Sequence, residues 1–154
     1  MAEEPGTSSR IFSEMEIRHL LAREVQRCTR YQDFLTLCLV RTGSPSGPPP
    51  EVETVAQRIA EMLRSTDLVG AIGPDTAVLL VHTPDSDASM IAERIRERMQ
   101  SWSFGTMVAP PPGQITFSIG LASFPTDATS EGGLLAHAQA QLQGASAPGH
   151  PTVP

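Results

Sequence analysis

Clusters of proline and glycine interrupt this sequence at intervals, and they constrain its fold more than any other feature. The chain has 154 residues, among them 14 Pro and 12 Gly. Proline fixes φ and lacks an N–H donor, so regular structure is excluded at GSPSGPPP (43–50) and at PPPG (110–113). Between these breaks the apolar patterns are short, and they predict strands and helices in alternation.

Four segments are predicted to be helices. Apolar residues recur at helical spacing in residues 10–30, 52–63 and 86–100, and residues 131–143 are rich in Ala, Leu and Gln. The first helix is expected to place an apolar face inward, formed by Phe12, Met15, Leu20, Leu21 and Val25. The third is expected to begin after an N-cap at Asp85, Ser86 or Asp87.

Four other segments are predicted to be strands. Residues 34–40 form a short apolar run typical of a buried strand, and residues 115–121 alternate toward a strand. Residues 68–72 and 77–81 flank Gly73-Pro74-Asp75 and predict a hairpin. After the first helix the order is βαββαβ followed by a helix. This order predicts an α/β fold of two layers, with flanking helices on one face of a mixed central sheet.

The composition is that of a globular protein, with 40% hydrophobic and 18% charged residues. A chain of this length suits one domain and is too short for two. We therefore expect one domain over residues 10–145, between flexible ends at 1–9 and 146–154.

The charged and sulfur-containing residues exclude several functions. A net charge of −6 argues against binding to duplex DNA or to an anionic membrane. All 11 basic residues are arginine, which excludes the chemistry of a Schiff-base or P-loop lysine. Cys28, Cys38 and four scattered histidines form neither a disulfide framework nor a zinc motif, and both thiols are expected to be buried. The first residues lack an apolar signal core and no apolar run is long enough to span a bilayer, so a soluble cytoplasmic protein is expected.

Five stretches in order carry a resemblance to a known family. They are Arg30-Tyr31 with 34–40, Asp67-Leu68-Val69 before Gly73-Pro74-Asp75-Thr76-Ala77, Ala92–Arg96, Ile115–Ala122, and Leu134-Leu135 with Ala138 and Leu142. Through them residues 10–145 resemble the GGDEF (diguanylate cyclase) domain. The resemblance implies the nucleotidyl-cyclase-like fold and a role in bacterial signalling by cyclic di-GMP.

The positions that the resemblance assigns to catalysis depart from the family pattern. In the family, an Asp at the end of the first strand and an acidic residue of the hairpin hold two Mg²⁺ ions on GTP. Here Arg41 stands at the first position, and the hairpin, Gly73 to Ala77, keeps only Asp75. Pro74 replaces the second Gly and Thr76 replaces the Glu. Phosphoryl transfer depends on metal-assisted positioning, so we expect neither Mg²⁺ nor GTP binding and no enzyme activity.

Two further parts of the family's substrate site are altered. The segment that reads guanine in the family is shortened here to residues 43–50. The Asp, Tyr and Lys that the family has near the C-terminal end of the domain correspond here to Gln139, Gln143 and Ser146.

One binding motif of the family is retained. The family's inhibitory product site is an Arg-x-x-Asp tetrad that ends five residues before the first hairpin Gly, and Arg64 and Asp67 stand at that spacing from Gly73. The family adds an arginine from the following helix, which corresponds to Arg94. A guanidinium can bind guanine O6 and N7 while a carboxylate accepts from the N1/N2 edge. The resemblance thus implies a cyclic di-GMP site at these three residues.

Simpler interpretations stand beside these. Arg64 and Asp67 also suit an ion pair at a helix end, and a second tetrad, Arg30 to Asp33, has no assigned role. Asp75 suits a turn residue better than a metal ligand. Three hypotheses follow: a catalytically inactive receptor for cyclic di-GMP, a nucleotide-independent module for protein interaction or dimerisation, and, ranked third, residual cyclase activity or GTP binding through Asp75.

Overall fold

A five-stranded sheet organises the protein. The computed structural model describes residues 10–43, 51–100 and 116–145. Its elements in chain order are β1 (Ile11–Phe12), α1 (Glu14–Tyr31), β2 (Leu35–Gly43), α2 (Val52–Ala60), β3 (Leu68–Ile72), β4 (Asp75–Val81), α3 (Asp85–Gln100), β5 (Thr116–Phe124) and α4 (Glu131–Ala145). The expected ends at 1–9 and 146–154, and the break at 110–113, lie outside the described residues.

The strand order is β1-β3-β4-β2-β5. β1 is parallel to β3, and every other neighbouring pair is antiparallel. β4 lies between β2 and β3, the two strands that α2 connects, which is the split βαβ arrangement. From the first helix onward the predicted element order is confirmed, and so is the mixed sheet.

Helices cover both faces of the sheet, not only the one face expected. One apolar cluster joins α1 and α4 to alternate residues of β2 and β4, such as Leu37 and Leu79. A second cluster joins α2 and α3 to the residues between them, such as Cys38 and Val78. All seven residues of β4 are buried. A strand that is buried at every position needs cover on both faces, and this pattern gives three layers.

The first helix begins later than predicted. Residues 11–12 pair with β3 as a short strand, and Ser13 then caps α1 through reciprocal hydrogen bonds with Glu16. This phase turns Met15 outward, where it is 81% exposed, and places Ile17 in the core. A strand of two residues leaves no periodic pattern, so the capping box is its only mark in the sequence.

Other boundaries shift by a few residues. α3 already includes Asp85, and the Pro84 carbonyl accepts the first helical hydrogen bonds, so none of the three expected N-caps caps it. The two aspartates instead lie in the first turn, where negative charge suits the helix dipole. α2 ends at Ala60, before the predicted 63.

Both cysteines are buried and free, as predicted. Burial raises the pKa of Cys28 to about 11 and that of Cys38 to about 12, so neither thiol ionises at neutral pH. None of the helices in the described segments combines the length and apolar character that crossing a bilayer requires.

Candidate functional site

The hairpin between β3 and β4 has a loop of two residues. Ile72 pairs directly with Asp75, so Gly73 and Pro74 form the turn. Gly73 has φ +60°, and a positive φ before proline's fixed negative φ is the pattern of a type II′ turn. The Gly73 N–H donates to Glu14 Oε1 on α1 at 2.9 Å. Pro74 offers no N–H, so this tip lacks a backbone donor at its second position.

Arg41 and Asp75 form a bidentate ion pair beneath this turn. Arg41 Nε lies 2.7 Å from Asp75 Oδ1, and Arg41 Nη2 lies 3.0 Å from Oδ2. The two residues stand opposite each other just beyond the last β2–β4 pair, Val40 with Thr76. The Asp75 side chain is 3% exposed, whereas that of Arg41 is 39% exposed. The hydrogen bonds to Asp75 raise the pKa of Arg41.

The expectation for Asp75 therefore needs correction. It was expected to be a turn residue, but it is the first residue of β4 and buried in a charge pair. The turn is two residues shorter than predicted, because β4 begins at Asp75 and glycine and proline alone form the loop. The partner of Asp75 lies 34 positions away in sequence, so only strand register brings the two together.

These residues do not fit a divalent cation. Both Asp75 oxygens already accept from a guanidinium, and Arg41 cannot ligate a metal. Thr76 Oγ1 is buried without a hydrogen-bond partner among the described residues, but alternation along β4 directs it to the opposite face of the sheet. In the described segments, no three His, Cys, Asp or Glu side chains group closely enough to hold a metal ion.

Arg64 and Asp67 lie together in the turn between α2 and β3. The Asp67 N–H donates to the Arg64 carbonyl at 3.0 Å, which closes a four-residue β-turn. Arg64 Nη2 and Nε donate to Asp67 Oδ1 and Oδ2 at 3.0 and 3.2 Å. The ion pair of the simpler interpretation is thus present, although it stands in a turn because α2 has already ended.

The two side chains of this turn differ in access. The Asp67 side chain is 2% exposed, and it also accepts from the backbone N–H groups of Arg64 and Val81. The Arg64 side chain is 53% exposed, and its Nη2 also donates to the Val81 carbonyl and to Thr83 Oγ1, each at 2.9 Å. Arg64 is therefore held in place with one edge open to solvent, while Asp67 has no oxygen left for a ligand.

Arg94 is exposed on α3, and no hydrogen bond or ion pair joins it to Arg64 or Asp67 in the described residues. The position of Arg94 relative to Arg64 can be judged from Asp87, which lies in the first turn of the same helix. The hydrogen bond to Asp67 raises the pKa of Arg64, and the charge of Asp87 raises it further, so Asp87 is near enough to Arg64 to act on it electrostatically. Arg94 follows Asp87 by seven residues, so it lies on the same helix face about 10 Å further along.

The remaining predicted positions are less informative. Gln139 is half-buried and Gln143 is exposed on α4, and Ser146 lies outside the described residues. In the second tetrad, Asp33 pairs with Arg27 at 2.6 Å and with His82, and Arg30 takes no part.

The sequence interpretation missed a surface groove of about 200 Å³ on α1. It is lined by Arg23, Gln26, Arg27, Arg30 and Tyr31. Their spacing at i, i+3, i+4, i+7 and i+8 was a visible sign of one continuous helix face.

Comparisons with known proteins agree with this architecture. The family model of the diguanylate cyclase GGDEF domain matches residues 52–151, more than half of the chain. The GGDEF domain of YfiN from Pseudomonas aeruginosa is similar over 90% of this chain and 91% of its own, with 21% identity and a TM-score of 0.70. The active GGEEF domain of a Vibrio cholerae diguanylate cyclase is similar over 91% of this chain and 94% of its own, with 15% identity and a TM-score of 0.72. No curated protein sequence matches the chain.

A third structure carries a ligand. The GGDEF domain of DgcB from Caulobacter crescentus, solved in complex with c-di-GMP, is similar over 97% of this chain and 95% of its own. The identity is 16% and the TM-score 0.71. At such identities the likeness shows a shared fold.

Proposed function

Because this chain belongs to the GGDEF domain family, we propose that it is a non-catalytic member that acts in cyclic di-GMP signalling by binding that nucleotide. The Arg41–Asp75 ion pair is the observation that carries the first half of this proposal. The solvent-open arginine of the Arg64–Asp67 turn supports the second half.

The loss of catalysis follows from charge. Metal ions in phosphoryl transfer bridge phosphate oxygens and neutralise the charge that develops there. At the hairpin, the one acidic residue is already neutralised by a guanidinium inside the protein. Pro74 also removes a backbone donor at the hairpin tip. The protein therefore lacks the means to clamp a triphosphate at this place.

The receptor role rests on Arg64 and Arg94. The open edge of Arg64 can donate to guanine O6 and N7, and Arg94 adds a second cation along the same side of α3. Asp67 acts here as a positioning residue, because its oxygens hold Arg64 and face away from solvent. A domain of the same fold, that of DgcB, was solved with c-di-GMP bound. This role places the protein in the cytoplasm with its nucleotide.

Calorimetric titration with cyclic di-GMP tests the proposal. We expect saturable binding that Arg64→Ala abolishes and Arg94→Ala weakens by about ten-fold, the loss of one charge-assisted contact. Arg30→Ala is the matched control, because it alters the other Arg-x-x-Asp tetrad and should leave binding unchanged. GTP with Mg²⁺ should give neither heat nor product.

Two outcomes would overturn the proposal. Absence of heat at high cyclic di-GMP concentration would refute the receptor role and leave the alternative, a nucleotide-independent interaction module, which the groove on α1 favours. Magnesium-dependent turnover of GTP would refute the catalytic loss and restore the third hypothesis, residual activity through Asp75.

A further inference from the structure

Three of the eleven arginines form no polar contact with the residues that the structure describes. Most arginines of the chain form ion pairs or other polar contacts. Among the described residues, Arg23, Arg30 and Arg94 make none. Arg94 belongs to the proposed nucleotide site, which leaves two cations of α1 without a function.

These two cations lie at the ends of one groove. Arg23 and Arg30 are seven residues apart on α1, so they project from the same face about 10 Å from each other. Arg27 lies between them, but its charge is already shared by Glu24 and Asp33. The opposite face of the helix packs on the sheet, and the groove faces solvent.

One aromatic side chain lines the groove at its C-terminal end, and a second exposed one follows it closely in sequence. Tyr31 lines it and is 67% exposed, and Phe34 follows three positions later with 44% exposure. Tyrosine and arginine are the residues most enriched at the centres of protein interfaces, where an aromatic ring supplies contact area and a guanidinium supplies orientation.

We propose that this groove binds an acidic segment of a partner protein. Two carboxylates about 10 Å apart in that segment pair with Arg23 and Arg30, and an apolar residue between or beside them packs on Tyr31. Arg23 and Arg30 make the groove a local cationic site on a protein whose net charge is −6, so an acidic segment is attracted to the groove and repelled by the rest of the surface. Duplex nucleic acid would need many more cations than two to overcome that repulsion.

This inference does not rest on nucleotide binding, and its test uses different variants. The probe is a fluorescein-labelled synthetic peptide rich in Glu with two Leu residues, titrated with the full chain and followed by fluorescence anisotropy. We expect saturable binding that weakens as salt is added, because solvent-exposed ion pairs are screened. The double variant Arg23→Ala/Arg30→Ala should lose about ten-fold in affinity, and Tyr31→Ala should lose a comparable amount.

Charge reversal makes the test specific. Arg23→Glu/Arg30→Glu should reject the Glu-rich peptide and bind a Lys-rich peptide of the same length. Arg18→Ala is the matched control on the same helix, because its charge is already paired with Glu14 outside the groove. Arg94→Ala should likewise leave peptide binding unchanged, although we expect it to weaken the binding of cyclic di-GMP.

Three results would overturn the proposal. One is no saturable binding of the acidic peptide at low salt. Another is equal affinity in the double alanine variant. The third is an interaction that depends on Arg23 and Arg30 in the absence of peptide binding. Binding to phosphatidylserine vesicles would assign the groove to a lipid surface, and self-association in sedimentation would assign it to a second copy of the chain.

Discussion

The Arg41–Asp75 pair joins a buried anion to a half-exposed cation, and this asymmetry has energetic consequences. The Asp75 side chain has almost no access to water, so the guanidinium of Arg41 stabilises it in place of solvent. Arg41 is 39% exposed and can be hydrated without its partner. The two residues therefore contribute unequally to stability, although they share the same hydrogen bonds.

Removing either partner should reveal the inequality. We expect Arg41→Gln to lower the free energy of unfolding by about 2–3 kcal/mol, because it strands a buried carboxylate. Asp75→Asn should cost only about 1 kcal/mol, because it leaves a cation that water can solvate. Urea unfolding measures both losses. The control Arg18→Ala, at an exposed pair, should change stability by less than about 0.5 kcal/mol. Equal losses in the two variants would contradict this account.

β5 and α4 lie in close backbone contact at Gly120. A Cβ atom added there would lie 2.1 Å from the Ala138 carbonyl oxygen, which belongs to the backbone of α4 and cannot rotate away. The Leu121 N–H beside it donates to Gln141 Oε1 of the same helix at 2.8 Å. The helix α4 can therefore lie this close to the sheet only because residue 120 is a glycine, which has no side chain.

A methyl group at this contact should displace the helix. We expect Gly120→Ala to destabilise the fold by about 3 kcal/mol or to detach α4, because backbone must move to admit the new atom. Gly132→Ala is the matched control, since nothing lies within 4 Å of a Cβ there and alanine favours a helix. Thermal unfolding and hydrogen exchange of α4 amides check both variants. Unchanged stability of Gly120→Ala would show that the contact is looser than described.

How much of these elements could be predicted depends on how local their causes are. The order βαββαβ follows from apolar runs and Pro/Gly breaks, which act over a few residues. β1 was missed because a parallel pair of two residues has no local pattern. The Arg64–Asp67 pair was foreseen from its spacing, whereas Arg41–Asp75 depends on register between strands far apart in sequence. The groove on α1 is formed by side chains that the core pattern does not use.

At the scale of the whole molecule, stability in acid is coupled to the junction around Asp33. Burial alone raises the pKa of Asp33, but hydrogen bonds from Arg27, the Phe34 N–H and His82 outweigh burial and hold it below its usual value. His82 stands at φ +54° at the end of β4, and Asp33 connects it to α1 and β2. One carboxylate therefore joins three elements.

A lowered pKa has a defined sign in its effect on folding. The contribution of Asp33 is present above the pKa of the unfolded chain, about 4, and is lost as pH falls through the lower folded-state pKa. We expect Asp33→Asn to cost about 1 kcal/mol at pH 7. The difference from the parent protein should shrink below pH 4, as measured by urea unfolding across pH. A difference that stays constant down to pH 2 would contradict the assignment.

The ion pair beneath the hairpin also bears on whether the hairpin conformation can respond to metal ions. A site that recruits a soluble cation is stabilised by mass action, so its structure varies with the concentration of that ion. Here the counter-ion of Asp75 is the guanidinium of Arg41, which belongs to the same chain. Its effective concentration at Asp75 is therefore fixed by the fold. We therefore expect the hairpin to keep one conformation whatever the concentration of free divalent ions. On this proposal the hairpin is a constant element of the domain, and we expect any signal to pass through the other surfaces.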